Sequence, residues 1–416
     1  MKHKACSKIW SDINLNIPSK EIRNCCKREP TRLSIDDLKS LGADSFTKNK
    51  ILEADKKFLI DNNELPANCT YCKATWPNSI WNNWNIWQNK DWSKQELADL
   101  PSKDYTNQIE VMLGITCNQT CMYCTDRVSS AWADIKGISI VKDNEWEETA
   151  LQNLYQYIEN NKVQDDKYVW YNFLGGEPLL EPRIFNVIEK IIDIHTRNFR
   201  KNKRITINLT SNLNVKPKTI ERFLEIVERN SNFRWSISTS LDGIGKQGEE
   251  IRDGLNFKNF ENNIHRLFSS KLLSHIDLLP SVSCLSIPYH HELISWYLNL
   301  ASKYCSLEQY GNSWSIGMNV VTWPDAMHPG ILPNSYKEEM DRCIEIIEKY
   351  EVKGEKFPLL PIQNYKTHLL NVKNLIGTKR NSNNLENAKD WYKTQGLLKN
   401  KDYFTIFPFL KELLKY

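Results

Sequence analysis

No stretch of about 18 uninterrupted apolar residues, the length a membrane span needs, occurs anywhere in the 416-residue sequence. A membrane protein is therefore not expected. The N-terminus, MKHKACSKIWSDINLN, lacks the apolar core of a secretory leader, so a cytoplasmic location is expected. A strong excess of one charge is missing too. Fifty-five basic residues against fifty-one acidic ones leave +4. That permits an anionic partner without demanding one, and falls short of the basic footprint of a nucleic-acid-binding protein. Internal repeats and low-complexity tracts are absent. Asn and Lys are abundant throughout, which reads as codon bias rather than a binding surface. What remains, 40% hydrophobic and 25% charged, describes a globular chain long enough for two or three domains.

What is present in quantity is cysteine, eleven in all. Eight fall into two groups: Cys6, Cys25, Cys26, Cys69 and Cys72, then Cys117, Cys121 and Cys124. In a reducing compartment such grouping argues for metal or redox chemistry rather than disulfides. Cys284, Cys305 and Cys343 stand alone in apolar surroundings and read as buried packing residues.

The middle of the chain alternates strand-like and helix-like segments. Strands are expected at 107–116, 168–175, 205–212, 235–242, 276–286 and 313–321, all rich in β-branched and aromatic residues. Helical stripes run through 182–197 (Ile184, Val187, Ile188, Ile191, Ile192) and 217–229 (Ile220, Phe223, Leu224, Val227). Pro182 and Pro217 sit where helices can start. Six such units imply an α/β fold with a parallel sheet, either an open partial barrel or a doubly wound sheet. In both, functional residues gather at the C-terminal strand ends. Residues 105–325 form this core. Residues 1–100 are polar and Trp-rich (Trp76, Trp81, Trp84, Trp87, Trp92) and carry the first cysteine group. Such a region suits a metal cluster as its stabiliser. The tryptophans read as packing around it or as a stacking platform for substrate. Residues 326–416 open on a Pro-rich turn and continue as helices, for example Tyr336 to Tyr350. His290-His291 follows the fifth strand. Adjacent histidines point apart and rarely share a metal, so they read as surface or helix-start residues.

Cys117-Asn118-Gln119-Thr120-Cys121-Met122-Tyr123-Cys124 directly follows the first expected strand. Three thiolates spaced four and three residues apart can hold three irons of a cubane and leave the fourth open. Zinc is the other metal to consider, but structural zinc sites take four ligands, and only Asp126 lies near enough in sequence to add one.

This segment resembles the C-x3-C-x-(aromatic)-C motif of the radical S-adenosylmethionine (SAM) superfamily, with Tyr123 as the aromatic. The resemblance implies a partial (β/α)6 TIM-like barrel. It implies a [4Fe–4S] cluster on Cys117, Cys121 and Cys124 whose open iron chelates SAM. Reductive cleavage of SAM would then give a 5′-deoxyadenosyl radical that abstracts hydrogen from substrate, with Tyr123 near the adenine. The second strand ends Gly175-Gly176-Glu177-Pro178. Its glycines allow close backbone approach to a ligand, and its carbonyls and Glu177 can accept from an ammonium. The family uses this motif for the methionyl amine of SAM; an ordinary strand-to-helix turn is the plain alternative. The third strand ends Thr210-Ser211-Asn212 and the fourth Ser240-Leu241-Asp242-Gly243. In related peptide- and sulfatase-modifying enzymes a serine placed like Ser240 lies near the ribose. An arginine placed like Arg252 pairs there with the SAM carboxylate, a bidentate match. A turn hydroxyl and a solvated surface charge are the plain readings of these two, and Asp242 reads as a turn former.

The first cysteine group, Cys6-x3-Trp10, Cys25-Cys26 and Cys69-x2-Cys72, is similar to SPASM/twitch auxiliary-cluster domains. Twitch-domain radical SAM proteins of phage genomes carry such cysteines ahead of the core. The resemblance implies a second [4Fe–4S] cluster on Cys6, Cys25, Cys69 and Cys72, with Cys26 as the substitute for Cys25. A four-cysteine zinc knuckle would use the same residues, and unligated buried cysteines are a third reading. The implied partners are SAM, an electron donor such as flavodoxin or ferredoxin, and a substrate that is a peptide or protein. An iron–sulfur electron carrier and a zinc-stapled nucleic-acid-binding protein are the competing functions.

Overall fold

The computed structural model describes residues 12–25, 30–46, 50–62, 108–160, 168–198, 204–304, 313–352 and 359–414, with a few positions between 64 and 95. Cys6, Cys26, Cys69, Cys72, Cys305 and the tryptophans of 76–92 lie outside the described residues.

The chain begins with β1 (Asp12–Asn16), β2 (Glu21–Arg23), β3 (Thr31–Arg32), α1 (Ile35–Leu41) and α2 (Lys50–Asn62). Next come β4 (Gln108–Met112), α3 (Ser130–Ile135), α4 (Asn144–Asn160), β5 (Val169–Leu174), α5 (Ile184–Asn198), β6 (Ile205–Ser211) and α6 (Pro217–Arg229). They are followed by β7 (Arg234–Thr239), α7 (Gly245–Ile251), α8 (Phe257–Ser270), β8 (His275–Leu278), β9 (Ser281–Val282), α9 (His290–Tyr304), β10 (Ser313–Ile316) and β11 (Asn319–Val320). The described chain closes with α10 (Lys337–Val352), α11 (Leu359–Leu375), α12 (Ser382–Lys399), α13 (Tyr403–Ile406) and α14 (Phe409–Leu413). It is a mixed α/β protein with parallel strands and many helices.

Two compact units divide it. The first takes residues up to Ile115 together with Val141–Asn208 and Asn232–Arg234. In it β4 lies between β1 and β5, parallel to both, and β2 and β3 add antiparallel at the far side of β1. Ile13, Ile109 and Tyr171 stand in register, as do Leu15, Val111 and Phe173. All six are buried, each side chain contributing about 1.5–3 kcal/mol by leaving water. The opposite face is polar. Asn14, Glu110 and Asn172 are in register there, joined by hydrogen bonds of 2.7 and 3.3 Å to the Glu110 carboxylate. In α5 the residues Ile184, Val187, Ile188, Ile191 and Ile192 are buried as one stripe, the helical period expressed in space.

The second unit takes Thr116–Ile140, Leu209–Ser231 and Trp235–Tyr416. Here β8 lies between β7 and β10, all parallel, with Ile237, Ile276 and Trp314 in register. Pro217 occupies the first turn of α6, where its missing N–H costs nothing. Cys284 and Cys343 are fully buried, as expected.

All six expected strands exist, as β4, β5, β6, β7, β8 and β10. The fifth and sixth are shorter than their apolar runs. The run 276–286 breaks at Leu279-Pro280, since proline has no N–H for a ladder, and only Ser281–Val282 resumes, pairing with β11. The surface reading of His290 is corrected. It starts α9 but is buried, with Nε2 2.6 Å from the Tyr365 hydroxyl. His291 turns elsewhere, its Nδ1 3.1 Å from Glu339. β1 is a strand the sequence did not announce, because DINLN is short and alternates with polar residues.

Among the described residues no helix is long and apolar enough to cross a membrane.

Candidate active site

Cys117 comes five residues after β4, and the chain from there to Ser129 has no regular structure until α3. Specific contacts in the second unit fix this loop. The Cys117 N–H donates to Ser130 Oγ at 3.1 Å. The Thr120 N–H donates to the Asp253 carbonyl at 2.7 Å and the Met122 N–H to the Ile251 carbonyl at 3.0 Å. Trp132 Nε1 donates to the Cys121 carbonyl at 3.0 Å, and Ser129 Oγ to that of Gln119 at 2.9 Å. Asn118 is held by Asn212 Nδ2 at 3.1 Å, and its own amide donates to the Asn214 carbonyl at 2.6 Å. Thus the small polar residues expected after β6 do meet the cysteine loop. Ser240, directly after β7, is half-buried, and its N–H donates to the Ser211 carbonyl at 3.0 Å.

Segment 250–254 grips the loop because Gly254 permits it. Gly254 has φ +95°, and a Cβ there would sit 2.5 Å from the Asn118 carbonyl oxygen. Both the backbone conformation and the space exclude a side chain. Gly254→Ala is expected to cost about 1–3 kcal/mol through this strain. Its measure is a lower urea midpoint together with faster amide exchange over 117–124; wild-type exchange in that peptide would refute the contact.

Arg252 is a buried residue, not the solvated charge of the plain reading. Its Nε lies 2.9 Å from Asp242 Oδ2 and its Nη2 3.3 Å from Oδ1. Nη1 reaches Cys121 Sγ at 3.8 Å. Asp242 therefore does more than shape a turn. It is completely buried, accepts from the Tyr123 hydroxyl at 2.5 Å and from the Ser281 N–H at 2.7 Å, and neutralises Arg252. The guanidinium also lies over the Tyr123 ring, 5.7 Å from its centroid, a cation–π distance. An incoming carboxylate at Arg252 would thus have to share it with Asp242.

Burial pushes the Cys121 thiol up to about 12, against which Arg252 works, while Cys124 and Cys117 raise it further. Cys124 is pushed up to about 11, again chiefly by burial, with Cys117 adding to it and Arg252 and Lys399 opposing. Burial likewise raises the Tyr123 phenol, opposed by Arg252. The three cysteines are thus electrostatic neighbours. An all-sulfur donor set beside a cation fits an iron–sulfur cluster: soft thiolates suit it and the cation favours their ionised form. Among the described residues no three His, Cys, Asp or Glu side chains are gathered as a ready-made metal cage. Asp126, the possible fourth zinc ligand, is engaged by Lys136 at 2.5 Å, which lowers its pKa.

Two basic residues that sequence reasoning did not single out reach this loop from the end of α12. Lys399 hydrogen-bonds the Thr120 carbonyl, lies 3.5 Å from Asp253 and sits 4.4 Å from the Trp132 ring centroid. Lys401 bridges Glu250 at 2.7 Å and Asp253 at 2.8 Å. Nothing local distinguishes them from the chain's other lysines.

Gly175, Gly176 and Glu177 belong to the first unit. Gly175 has φ +141°, and a Cβ there would lie 2.7 Å from the Gly114 carbonyl oxygen, to which the Gly176 N–H donates at 3.3 Å. Glu177 is buried, and its carboxylate caps the short 3-10 turn Pro178–Leu180 by accepting from the Leu179 N–H at 3.0 Å. The turn reading is therefore correct as local structure. Of the first cysteine group only Cys25 is described, half-buried just after β2.

No protein-family model matches the chain, and no curated protein matches it. Solved structures do. One is an anaerobic sulfatase-maturating enzyme, anSMEcpe with bound AdoMet, at 17% identity and a TM-score of 0.41, over 60% of this chain and 62% of that one. The match thus takes in less than two thirds of the anSMEcpe chain. Another is Streptococcus suis SuiB bound to precursor peptide SuiA, at 12% identity and a TM-score of 0.38, over 86% of this chain and 71% of that one. SuiB bound to S-adenosylmethionine matches over 86% and 70%, with the same identity and TM-score.

Proposed function

We propose that this chain is a radical SAM enzyme, which reductively cleaves S-adenosylmethionine to a 5′-deoxyadenosyl radical and uses it to modify a substrate, peptidyl in class. The reading rests on one observation above all. The Cys117–Cys124 loop, whose sequence carries the superfamily motif, is braced by segment 250–254, and that brace brings the Arg252 guanidinium to Cys121. When bound, a [4Fe–4S] cluster on Cys117, Cys121 and Cys124 supplies a one-electron reductant and an open coordination position for SAM.

The chain's own residues bind and orient. The Arg252–Asp242–Tyr123 network holds the Tyr123 ring in place to pack against an adenine. Ser240 offers a hydroxyl for a ribose. Gly175, Gly176 and Glu177 supply close backbone and a buried carboxylate for an ammonium. Arg252 takes the carboxylate by sharing its guanidinium with Asp242. Gln119 to Met122 are buried, while Cys117 and Cys124 are half-buried.

The same reading arranges residues 105–325 as a partial (β/α)6 barrel. It gives 1–100 to a SPASM/twitch-type domain with a second [4Fe–4S] cluster on Cys6, Cys25 or Cys26, Cys69 and Cys72, and leaves 326–416 as a helical extension. Flavodoxin or ferredoxin would deliver the electron, in the cytoplasm.

Anaerobic reconstitution with iron and sulfide, followed by SAM and dithionite, tests it. Brown protein that releases 5′-deoxyadenosine is the expected result. Colourless protein holding zinc only, or an iron–sulfur protein that leaves SAM intact, would sink the proposal.

A further inference from the structure

Lys399 is buried in an unusual way for a lysine at a helix end. A lysine in the last turn complements the helix dipole from solvent, yet the Lys399 side chain is only 1% exposed. Its ammonium meets the Thr120 carbonyl inside the cysteine loop, the Trp132 face and the Asp253 carboxylate. Trp132 in turn donates to the Cys121 carbonyl, so Lys399 lies against two residues that hold the loop.

Fastening the helix end does not require this charge. Lys401, two residues on, already ties α12 to Glu250 and Asp253, and a neutral donor would satisfy the Thr120 carbonyl. Lys246, Lys399 and Lys401 face the carboxylates of Glu249, Glu250 and Asp253. Of the three cations Lys246 is mostly exposed and screened by water, whereas Lys399 is not. The charge of Lys399 is felt at Cys124 and that of Cys121 at Lys399. Arg252, the other cation at the loop, is paired with Asp242 and also acts on Cys121 and Cys124.

We infer that Lys399 is a positioning residue whose buried positive charge sets the reduction potential of the group held by Cys117, Cys121 and Cys124. This rests on the functional reading above. One electron from an external reductant enters that group, making it more negative, and no bond breaks. A cation close by in a low-dielectric setting favours the reduced form, since net charge and exposure set such potentials. The lysine would make a demanding reduction easier for the cell's electron donor.

The test is a redox titration of the anaerobically reconstituted full-length protein without SAM, followed by the electron paramagnetic resonance of the reduced cluster. In Lys399→Met the reduced-to-oxidised ratio at fixed potential is expected to fall about tenfold, a shift of about 59 mV for one electron. Lys399→Arg should restore it to within about threefold. If Lys399→Met takes up no cluster, Lys399→Gln is titrated in its place, keeping a donor for Thr120 without the charge, and the same tenfold fall is expected. A charge-free variant that holds its cluster at the wild-type potential overturns the inference alone. Wild-type protein that takes up no cluster overturns the functional reading, and the inference with it.

Discussion

Alanine at Cys117, Cys121 or Cys124, one at a time, is expected to bring 5′-deoxyadenosine formation down to the level of a protein-free control. Each thiolate would hold its own iron, so losing one leaves two protein ligands for a cluster that already lacks a fourth. The loop cannot compensate. Asp126, the nearest carboxylate in sequence, is tied to Lys136. The comparison that gives this meaning is Cys343→Ala, a fully buried thiol on α10. Removing it should lower stability by roughly 1–2 kcal/mol through the cavity left behind, while 5′-deoxyadenosine forms at the wild-type rate. Full activity in any of the three loop variants would show that the motif is not the reacting centre.

A second large effect is expected at Asp242. Asp242→Asn keeps the shape of the side chain and removes its charge, leaving the buried Arg252 guanidinium uncompensated. Breaking a buried pair in this way costs about 3–5 kcal/mol. Segment 250–254 carries Arg252 and also accepts the Thr120 and Met122 amides, so the loss should be local as well as global. Amides over 117–124 are expected to exchange between a hundred- and several-thousand-fold faster, on the scale of about 1.36 kcal/mol per tenfold. Adding Arg252→Met should recover much of the loss, because a buried pair replaced by apolar groups is often close to neutral. If Asp242→Asn alone leaves exchange unchanged, the pair does not brace the loop.

The same pair marks how far the sequence could be read. The six strands announced themselves through β-branched and aromatic runs, and α5 and α6 through their isoleucine, leucine and phenylalanine stripes. These signals are local: a period of two or of 3.6 needs only a dozen residues to be seen. Arg252 and Asp242 were each visible as candidates, but not as partners. Their meeting depends on α7 turning the chain back so that residue 252 faces residue 242 again. Lys399 was beyond reach altogether, since its contact with Thr120 spans 279 residues and a lysine at a helix end looks ordinary. β1 escaped for the opposite reason, being too short and too polar to show a period, although register with β4 gives its two apolar residues a buried face. In the fifth strand proline decided against the apolar run around it.

The 279 residues separating Thr120 from Lys399 also bear on how the protein is made. At about 5–20 residues per second of synthesis, the cysteine loop leaves the ribosome roughly 14–56 s before the lysine that covers it. During that interval the loop stands without the lysine that fastens its Thr120 carbonyl. On the proposed function, the three thiols would be open to a cluster donor while the chain is still growing.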